Sequence, residues 1–415
     1  MLELLLSEDI WKDFFDYKCA EGALSAKERR ELEQFLERKD YEPIVRGILS
    51  GSRAFSVPAR HSLNKFGTGK KRIVYTYAPE ETLVLKLLSR LLYRYDYLFA
   101  NNCFSFRREV SPRSAFLLMT KIPGIDDLWC FKADISNYYN SIPAAQMVEV
   151  LRACITDDEP LTDFLAALLL DDRAMTAEGI VHEPKGVMAG VPISAFPANL
   201  YLRDMDYFFA EKDIHYARYA DDIIMFGSRE AVEECRAMFF ELVRDKGLSV
   251  NREKTALISP GRLWSFLGFS YEMGTIDIAP AAVSKLMGRI RRAGRSLHRW
   301  KLAKNADDAR ALRAMNRKFN RKFYGAKSDE AEGKELTWAR WYFPIINTDR
   351  SLRLIDEYMQ QYQRYIVTGK HNARSRGRVP YAVLRDCGYR PLTAAYYKRR
   401  ESRISPEPAD SVVVP

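Results

Sequence analysis

The chain has 415 residues and a mass of 48.0 kDa, with 47% hydrophobic and 29% charged residues, the balance of a soluble globular protein with a sizeable core. No run of about 18 or more uncharged apolar residues argues for a membrane span, Glu3, Glu8 and Asp9 beside Leu2–Leu6 do not resemble a cleaved signal, and six scattered cysteines without zinc-ligand spacing fit a reducing cytoplasm. Net charge is +10, yet residues 1–280 carry 35 Lys and Arg against 42 Asp and Glu, a net of −7, while residues 281–400 carry 29 against 10, a net of +19, which points to a polyanion partner for the basic part.

In chain order, residues 1–120 read as mostly helical with one basic hairpin near Ser62–Tyr77. In Leu128–Ile142 an apolar run ends at Asp134 and an aromatic pair, Tyr138 and Tyr139, follows. Taken alone this is also a buried strand closed by a capping aspartate, since Ser136 and Asn137 suit a turn. Leu161–Leu170 reads as buried helix, and Lys185–Leu202 as a helix start with Pro192 near its first turn. Ile214–Phe226 sets Tyr219-Ala220-Asp221-Asp222 between runs of Tyr, Ile, Met and Phe, the pattern of a hairpin tip. Neighbouring side chains on a strand face opposite ways, so two adjacent carboxylates serve one site only where a turn redirects them. Other Asp-Asp pairs, such as Asp126–Asp127 and Asp307–Asp308, lack that setting and read as solvated surface.

Arg229–Lys246 is an amphipathic helix, with Val232, Cys235, Phe239, Leu242 and Val243 at helical spacing and Gly247 as its stop. In Leu248–Thr255, Lys254 alone is either an exposed loop lysine or a positioned ammonium. Gly288–Lys301 and Asn316–Tyr324 read as helices with one basic face, whose cations interleaved with aromatics suit phosphates and stacked bases. Trp338–Thr348 is too aromatic for a linker and reads as core or as a docking element. His371–Arg378 reads as a flexible basic stretch and the end after Ser405 as disordered.

Asp134, Asp221 and Asp222 together can flank two Mg²⁺ ions, which favour one or two carboxylates plus substrate phosphates. Metal pairs about 3.5–4 Å apart serve in-line nucleotidyl transfer. With these residues in this order the chain resembles the reverse transcriptases. The Asp134 strand is similar to the family's first palm motif, and Tyr219–Asp222 matches the signature of the third. Lys185–Leu202 resembles the second, with Gly190, Ser194, Ala198 and Asn199 on family positions. There Met188 and Ala189 stand where Pro and Gln are usual, a departure shared by bacterial defence-associated and abortive-infection relatives. The missing Gln is the residue that normally contacts the incoming nucleotide.

The resemblance implies an α+β right-hand polymerase: fingers over 1–120, an antiparallel-sheet palm over 121–280 with a helical insertion at about 143–185, a basic helical thumb over 281–370, and a basic C-terminal extension. It implies catalysis and metal binding by Asp134, Asp221 and Asp222, with two Mg²⁺ ions (Mn²⁺ as the alternative). Lys71, Arg72, Tyr139, Gly190 and Lys254 are expected around the nucleotide, Tyr139 closing off space for a ribose 2′ hydroxyl. Tyr219, Phe266, Leu267, Gly268, Arg291, Arg292 and Arg295 are expected along primer and template. The implied partners are an RNA template (a non-coding RNA in many relatives), dNTPs and the DNA product, without a membrane. Untemplated or protein-primed DNA synthesis, RNA synthesis, and an RNA-binding scaffold without catalysis stay open beside it.

Overall fold

The basic hairpin forms as expected: strand β1 (Ala59–Asn64) runs antiparallel to β2 (Lys71–Thr76), with Ala59 opposite Thr76 and Asn64 opposite Lys71. The structure, a computed structural model, describes residues 1–20, 24–52, 55–64, 71–108, 110–325, 337–372 and 374–404, the last three by their backbone alone. It divides into two compact units, Met1–Leu267 and Gly268–Pro415. The expected disordered end after Ser405 lies outside the described residues. Among those described, no helix is long and apolar enough to cross a membrane.

In the first unit, helices Glu8–Ala20, Ala26–Glu37 and Tyr41–Leu49 gather around Trp11. Its ring stacks on Tyr41 at 5.1 Å and its indole N–H donates to the Leu5 carbonyl at 2.8 Å. Beyond helices Pro79–Leu91 and Pro112–Thr120 come β3 (Trp129–Asp134) and helices Ala144–Cys154 and Glu159–Leu170, the latter burying Leu161, Leu165 and Leu169. The insertion is helical only that far. Beyond Leu170 the chain forms a second hairpin, β4 (Arg173–Thr176) and β5 (Gly179–His182), and β4 joins β1, giving a sheet ordered β2-β1-β4-β5. The Met175 amide donates to the Pro58 carbonyl at 2.9 Å, and Glu183 receives Arg60 Nε at 2.9 Å and the Tyr75 hydroxyl at 2.7 Å. These partners lie more than a hundred residues apart in sequence, so local periodicity could not reveal them.

The second sheet adds β6 (His215–Tyr219), β7 (Asp222–Gly227) and β8 (Ala256–Ile258) in the order β6-β7-β3-β8, all neighbours antiparallel. In β7, Ile223, Ile224, Met225 and Phe226 are all fully buried. An unbroken apolar run means that both faces of this strand are covered. On one face Phe239, from helix Arg229–Asp245, meets Phe131 at 5.7 Å. On the other, Trp264 of β9 (Trp264–Phe266) packs edge-on against Phe226 at 5.0 Å and contacts Phe116 at 5.4 Å. Each such ring contributes about 2 kcal/mol by leaving water.

The second unit opens with the hairpin β10 (Phe269–Glu272) and β11 (Thr275–Ile278), followed by the long helix Pro280–Lys304 and helices Asp308–Tyr324, Trp338–Tyr342 and Arg350–Thr368. Gly294 lets the long helix lie close to Arg350–Thr368, because a Cβ there would stand 2.6 Å from the Tyr362 ring. Within the stretch expected to be flexible, described residues on both sides of position 373 are packed. His371 stacks on Tyr365 at 4.6 Å, Arg374–Arg378 is a helical turn, and Ser375 is buried. Helix Leu392–Ile404 docks through Asp356, a buried carboxylate that accepts the Leu392 and Thr393 amides at 2.8 and 2.9 Å and the Tyr389 hydroxyl at 3.1 Å. Asp356 thus serves that helix start as a cap supplied from elsewhere in the chain. Such distant pairing leaves no local signal.

Candidate active site

The register of β3 on β7 places Asp134 directly opposite Asp222. Opposed residues of an antiparallel pair share a face, with Cβ atoms about 5 Å apart, and like charges there repel. Asp221 lies in the two-residue turn between Tyr219 and Asp222, which pair with each other. Ala220, the other turn residue, has φ +55°, a left-handed conformation that costs a non-glycine residue about 1 kcal/mol. The Asp221 carbonyl accepts the Ile135 amide at 3.2 Å, tying the turn to the end of β3. Burial, then Asp222 and Asp134, push the Asp221 carboxyl up to about 6. Burial likewise raises Asp222, with Asp134 adding to it and Lys132 opposing.

Asp134 is held on both oxygens. Asn251 Nδ2 donates to Oδ1 at 3.1 Å and Lys254 Nζ donates to Oδ2 at 2.6 Å, while the Asn251 amide bonds the Asp134 carbonyl at 2.7 Å. Lys254 is therefore no idle loop lysine, although its side chain is 58% exposed. Burial works to lower its pKa, but the pairing with Asp134 prevails and raises it. Among the described residues no group of three His, Cys, Asp or Glu is poised around one ion. The donor chemistry nonetheless fits hard divalent cations: three crowded carboxylates, two of them with proton affinity raised by burial and by acidic neighbours, are relieved by added positive charge. Asn251 was missed in the sequence; only its place three residues before Lys254 hinted at it.

Beside the carboxylates, the loop 185–190 is closed by backbone contact. A Cβ on Gly186 (φ +56°) would lie 2.3 Å from the Tyr139 carbonyl, and one on Gly190 (φ +104°) 2.9 Å from the Tyr75 carbonyl. Met188 has φ +61°, which proline, locked near −65°, cannot adopt. The Met188-Ala189 departure is therefore a different loop path as well as a change of side chains. Both backbone groups of Ala189 are engaged: its amide donates to Asn140 Oδ1 at 2.8 Å, and its carbonyl accepts the Tyr75 amide at 2.8 Å. Asn140 also reaches the Ile73 carbonyl at 3.0 Å, so this residue, which sequence reasoning passed over, links β2, the loop and the helix after Asp134.

Tyr139 stands near the carboxylates. Burial and then Asp221 and Tyr219 push its hydroxyl up to about 12, with Arg72 pulling the other way. Arg72 shares the face of Val74, which borders Gly190. Lys71, one residue earlier in β2, falls on the opposite face. Tyr139, Tyr219 and Lys254 thus stand near the aspartates, Arg72 lies toward Tyr139 on the face of β2 that borders Gly190, and Lys71 is on the opposite face.

Below the hairpin tip lies a network that the sequence did not announce. Arg218 and Asp206 are fully buried and form a two-bond ion pair, with Arg218 Nε donating to Asp206 Oδ1 at 2.7 Å. Arg218 also donates to Asn199 Oδ1 at 3.1 Å, to Cys103 Sγ at 3.3 Å and to the carbonyl of Ala220 at 3.2 Å. Tyr216 donates to Asp206 at 2.9 Å and Ser105 to Asn199 at 2.6 Å. The guanidinium therefore fixes the strained residue at the tip.

Phe266 is fully buried, while Leu267 (φ +51°) and Gly268 (φ +90°) form a turn at which the two units divide. In the second unit the basic residues of helix Pro280–Lys304 do not form one face. Arg292 lines a cleft with helix Asp308–Tyr324, whereas Arg291 and Arg295 lie toward Tyr358 of helix Arg350–Thr368. Successive helical residues diverge by about 100°, so the adjacent Arg291 and Arg292 part ways.

Among curated proteins none matches the chain in sequence. Of solved structures, apo telomerase from Candida tropicalis, truncated from its C-terminal domain, is 14% identical with a TM-score of 0.44, covering 54% of this chain and 55% of its own. Telomerase from Candida albicans with a fragment of telomeric RNA is 12% identical with a TM-score of 0.42, covering 91% of this chain and 72% of its own. The chain thus spans about half the length of the first, and scores at this level do not by themselves establish a shared fold. The sequence comparison is firmer: residues 63–271 match the family described as reverse transcriptase (RNA-dependent DNA polymerase). That stretch is half of the chain and contains every element that carries the three aspartates, and on that match the chain belongs to the reverse transcriptase family.

Proposed function

We propose that the protein is an RNA-directed DNA polymerase, extending a primer 3′ hydroxyl with deoxynucleotides. The observation that carries this reading is Asp134 opposite Asp222 in register, with Asp221 in the adjoining turn. Asp134, Asp221 and Asp222 would hold two Mg²⁺ ions, which supply Lewis-acid charge to the transferring phosphoryl group and align it with the attacking hydroxyl. Arg72 would pair with the triphosphate. Lys254, whose ammonium lies 2.6 Å from Asp134 Oδ2, would offer its positive charge to the departing pyrophosphate. The Met188-Ala189 departure supports a place among bacterial defence-associated members, and the scattered cysteines a cytoplasmic setting. The test is Mg²⁺-dependent dNTP incorporation on an RNA template by the wild type and by an Asp221→Ala, Asp222→Ala double variant. Equal incorporation by both would leave only the scaffold reading.

Tyr139, beside Asp221, would exclude a ribose 2′ hydroxyl. Tyr139→Ala is expected to lower the preference for dNTP over rNTP by about 10–100-fold. Single-nucleotide incorporation with matched dNTP and rNTP measures it, and unchanged discrimination removes the role. A second reading, untemplated synthesis, draws on Ala189, which brings no amide side chain to the loop and spends its backbone on Tyr75 and Asn140. Sequencing the product made on defined templates separates the two.

A further inference from the structure

The second unit holds a cleft of about 850 Å³ walled by helices Pro280–Lys304, Asp308–Tyr324 and Trp338–Tyr342. Spacings of three and four bring Arg289 and Arg292 to one wall, and Lys318, Arg321 and Lys322 to the other. Trp338 and Trp341 supply aromatic surface, and no Asp or Glu is among the described residues that line the cleft. Burial, followed by Arg289 and Lys285, pushes the Lys322 ammonium down, as expected where positive charges crowd. Trp338 is braced by Tyr342 at 4.8 Å and Phe323 at 6.3 Å, so its ring is held in place before any ligand arrives.

Cations on two walls suit a chain of phosphates, and a fixed indole suits the flat face of a base. A paired duplex keeps its bases stacked inside and offers a recess only its backbone, whereas an unpaired strand can insert a base. We propose that this cleft binds unpaired nucleotides of a single strand, with Arg289, Lys318, Arg321 and Lys322 on the phosphates and Trp338 stacked on a base. The proposal deepens the polymerase reading, since it rests on that reading for a single strand being at hand. It assigns to the cleft a grip separate from the duplex.

The test uses the full chain and a ten-nucleotide single-stranded RNA, followed by tryptophan fluorescence, with a blunt RNA–DNA hybrid, a DNA oligomer of the same sequence and polyglutamate as parallel arms. The RNA is expected to quench the fluorescence. The K318E/R321E variant, at two exposed positions, should raise its Kd about tenfold or more and flatten the salt dependence by about two phosphates. Hybrid binding should change by less than about threefold. W338F, which keeps the packing, should lose most of the quench with its circular dichroism unchanged. Preference for RNA would assign the strand to the template and preference for DNA to the product, and either supports the site. Equal losses on hybrid and single strand, no loss at all, or competition by polyglutamate as effective as by RNA would overturn it. Primer extension is scored separately: binding without extension defeats the polymerase reading and leaves the cleft, and extension without single-strand binding does the reverse.

Discussion

Replacing Asp221 with Asn is expected to lower nucleotide incorporation by about 10³-fold and, at about pH 7.5 without divalent metal, to stabilise the protein by about 2–3 kcal/mol. The activity loss follows from removing one of the carboxylates proposed to hold the metals. The stability gain follows from the environment of that carboxyl, which burial and its acidic neighbours push from 3.8 up to about 6. A carboxyl whose pKa is raised by folding adds its full stability below the unfolded value of 3.8, and loses it as pH rises through about 6. Above that the folded protein holds a charge it would rather shed, and Asn removes the charge at nearly constant shape. The gain should therefore fade as pH falls from about 6 to about 4. Added Mg²⁺ should narrow it, because the ion binds the folded wild type preferentially. Thermal unfolding in chelator and in Mg²⁺ across that pH range checks each part. A variant no more stable than wild type at neutral pH would contradict the crowded-carboxylate account.

Arg218→Met should cost about 3–5 kcal/mol, because it leaves Asp206 buried and unpaired. Urea unfolding of the variant measures this loss. The informative comparison is the double variant Arg218→Met, Asp206→Leu, which removes both charges and should recover most of the stability. Incorporation should stay depressed in the double variant, about tenfold or more, because the Ala220 carbonyl has lost its 3.2 Å guanidinium contact and the tip its brace. Full recovery of activity along with stability would reduce Arg218 to a packing role.

The parts of this molecule legible in the sequence were those encoded by neighbours. The Tyr219–Asp222 tip, the β3 strand ending at Asp134 and the Arg229–Asp245 helix follow from short-range pattern and stand where that pattern put them. What escaped was long-range. The β4–β5 hairpin carried a fair signal in Met-Thr-Ala-Glu-Gly-Ile-Val, β-formers around a glycine-bearing turn, but not its partner β1, over a hundred residues away. Arg218 looked like one more strand residue because nothing beside it in sequence announces Asp206 or Asn199. The reading of His371–Arg378 did not foresee the contacts made in and beside it, His371 on Tyr365 and Arg364 Nε donating to the Val379 carbonyl at 3.1 Å, because their partners lie in the preceding helix.

Asp356 gives the last described helix more weight than its position suggests. Its carboxylate sits in the interior of the second unit, and residues 389–393 supply the donors that make an anion tolerable there. Trimming the chain ahead of Tyr389 would strand that oxygen pair in an apolar setting, whereas additions beyond the helix that ends at Ile404 leave the clasp shut. Fusion partners and affinity handles therefore belong behind that helix, never in its stead.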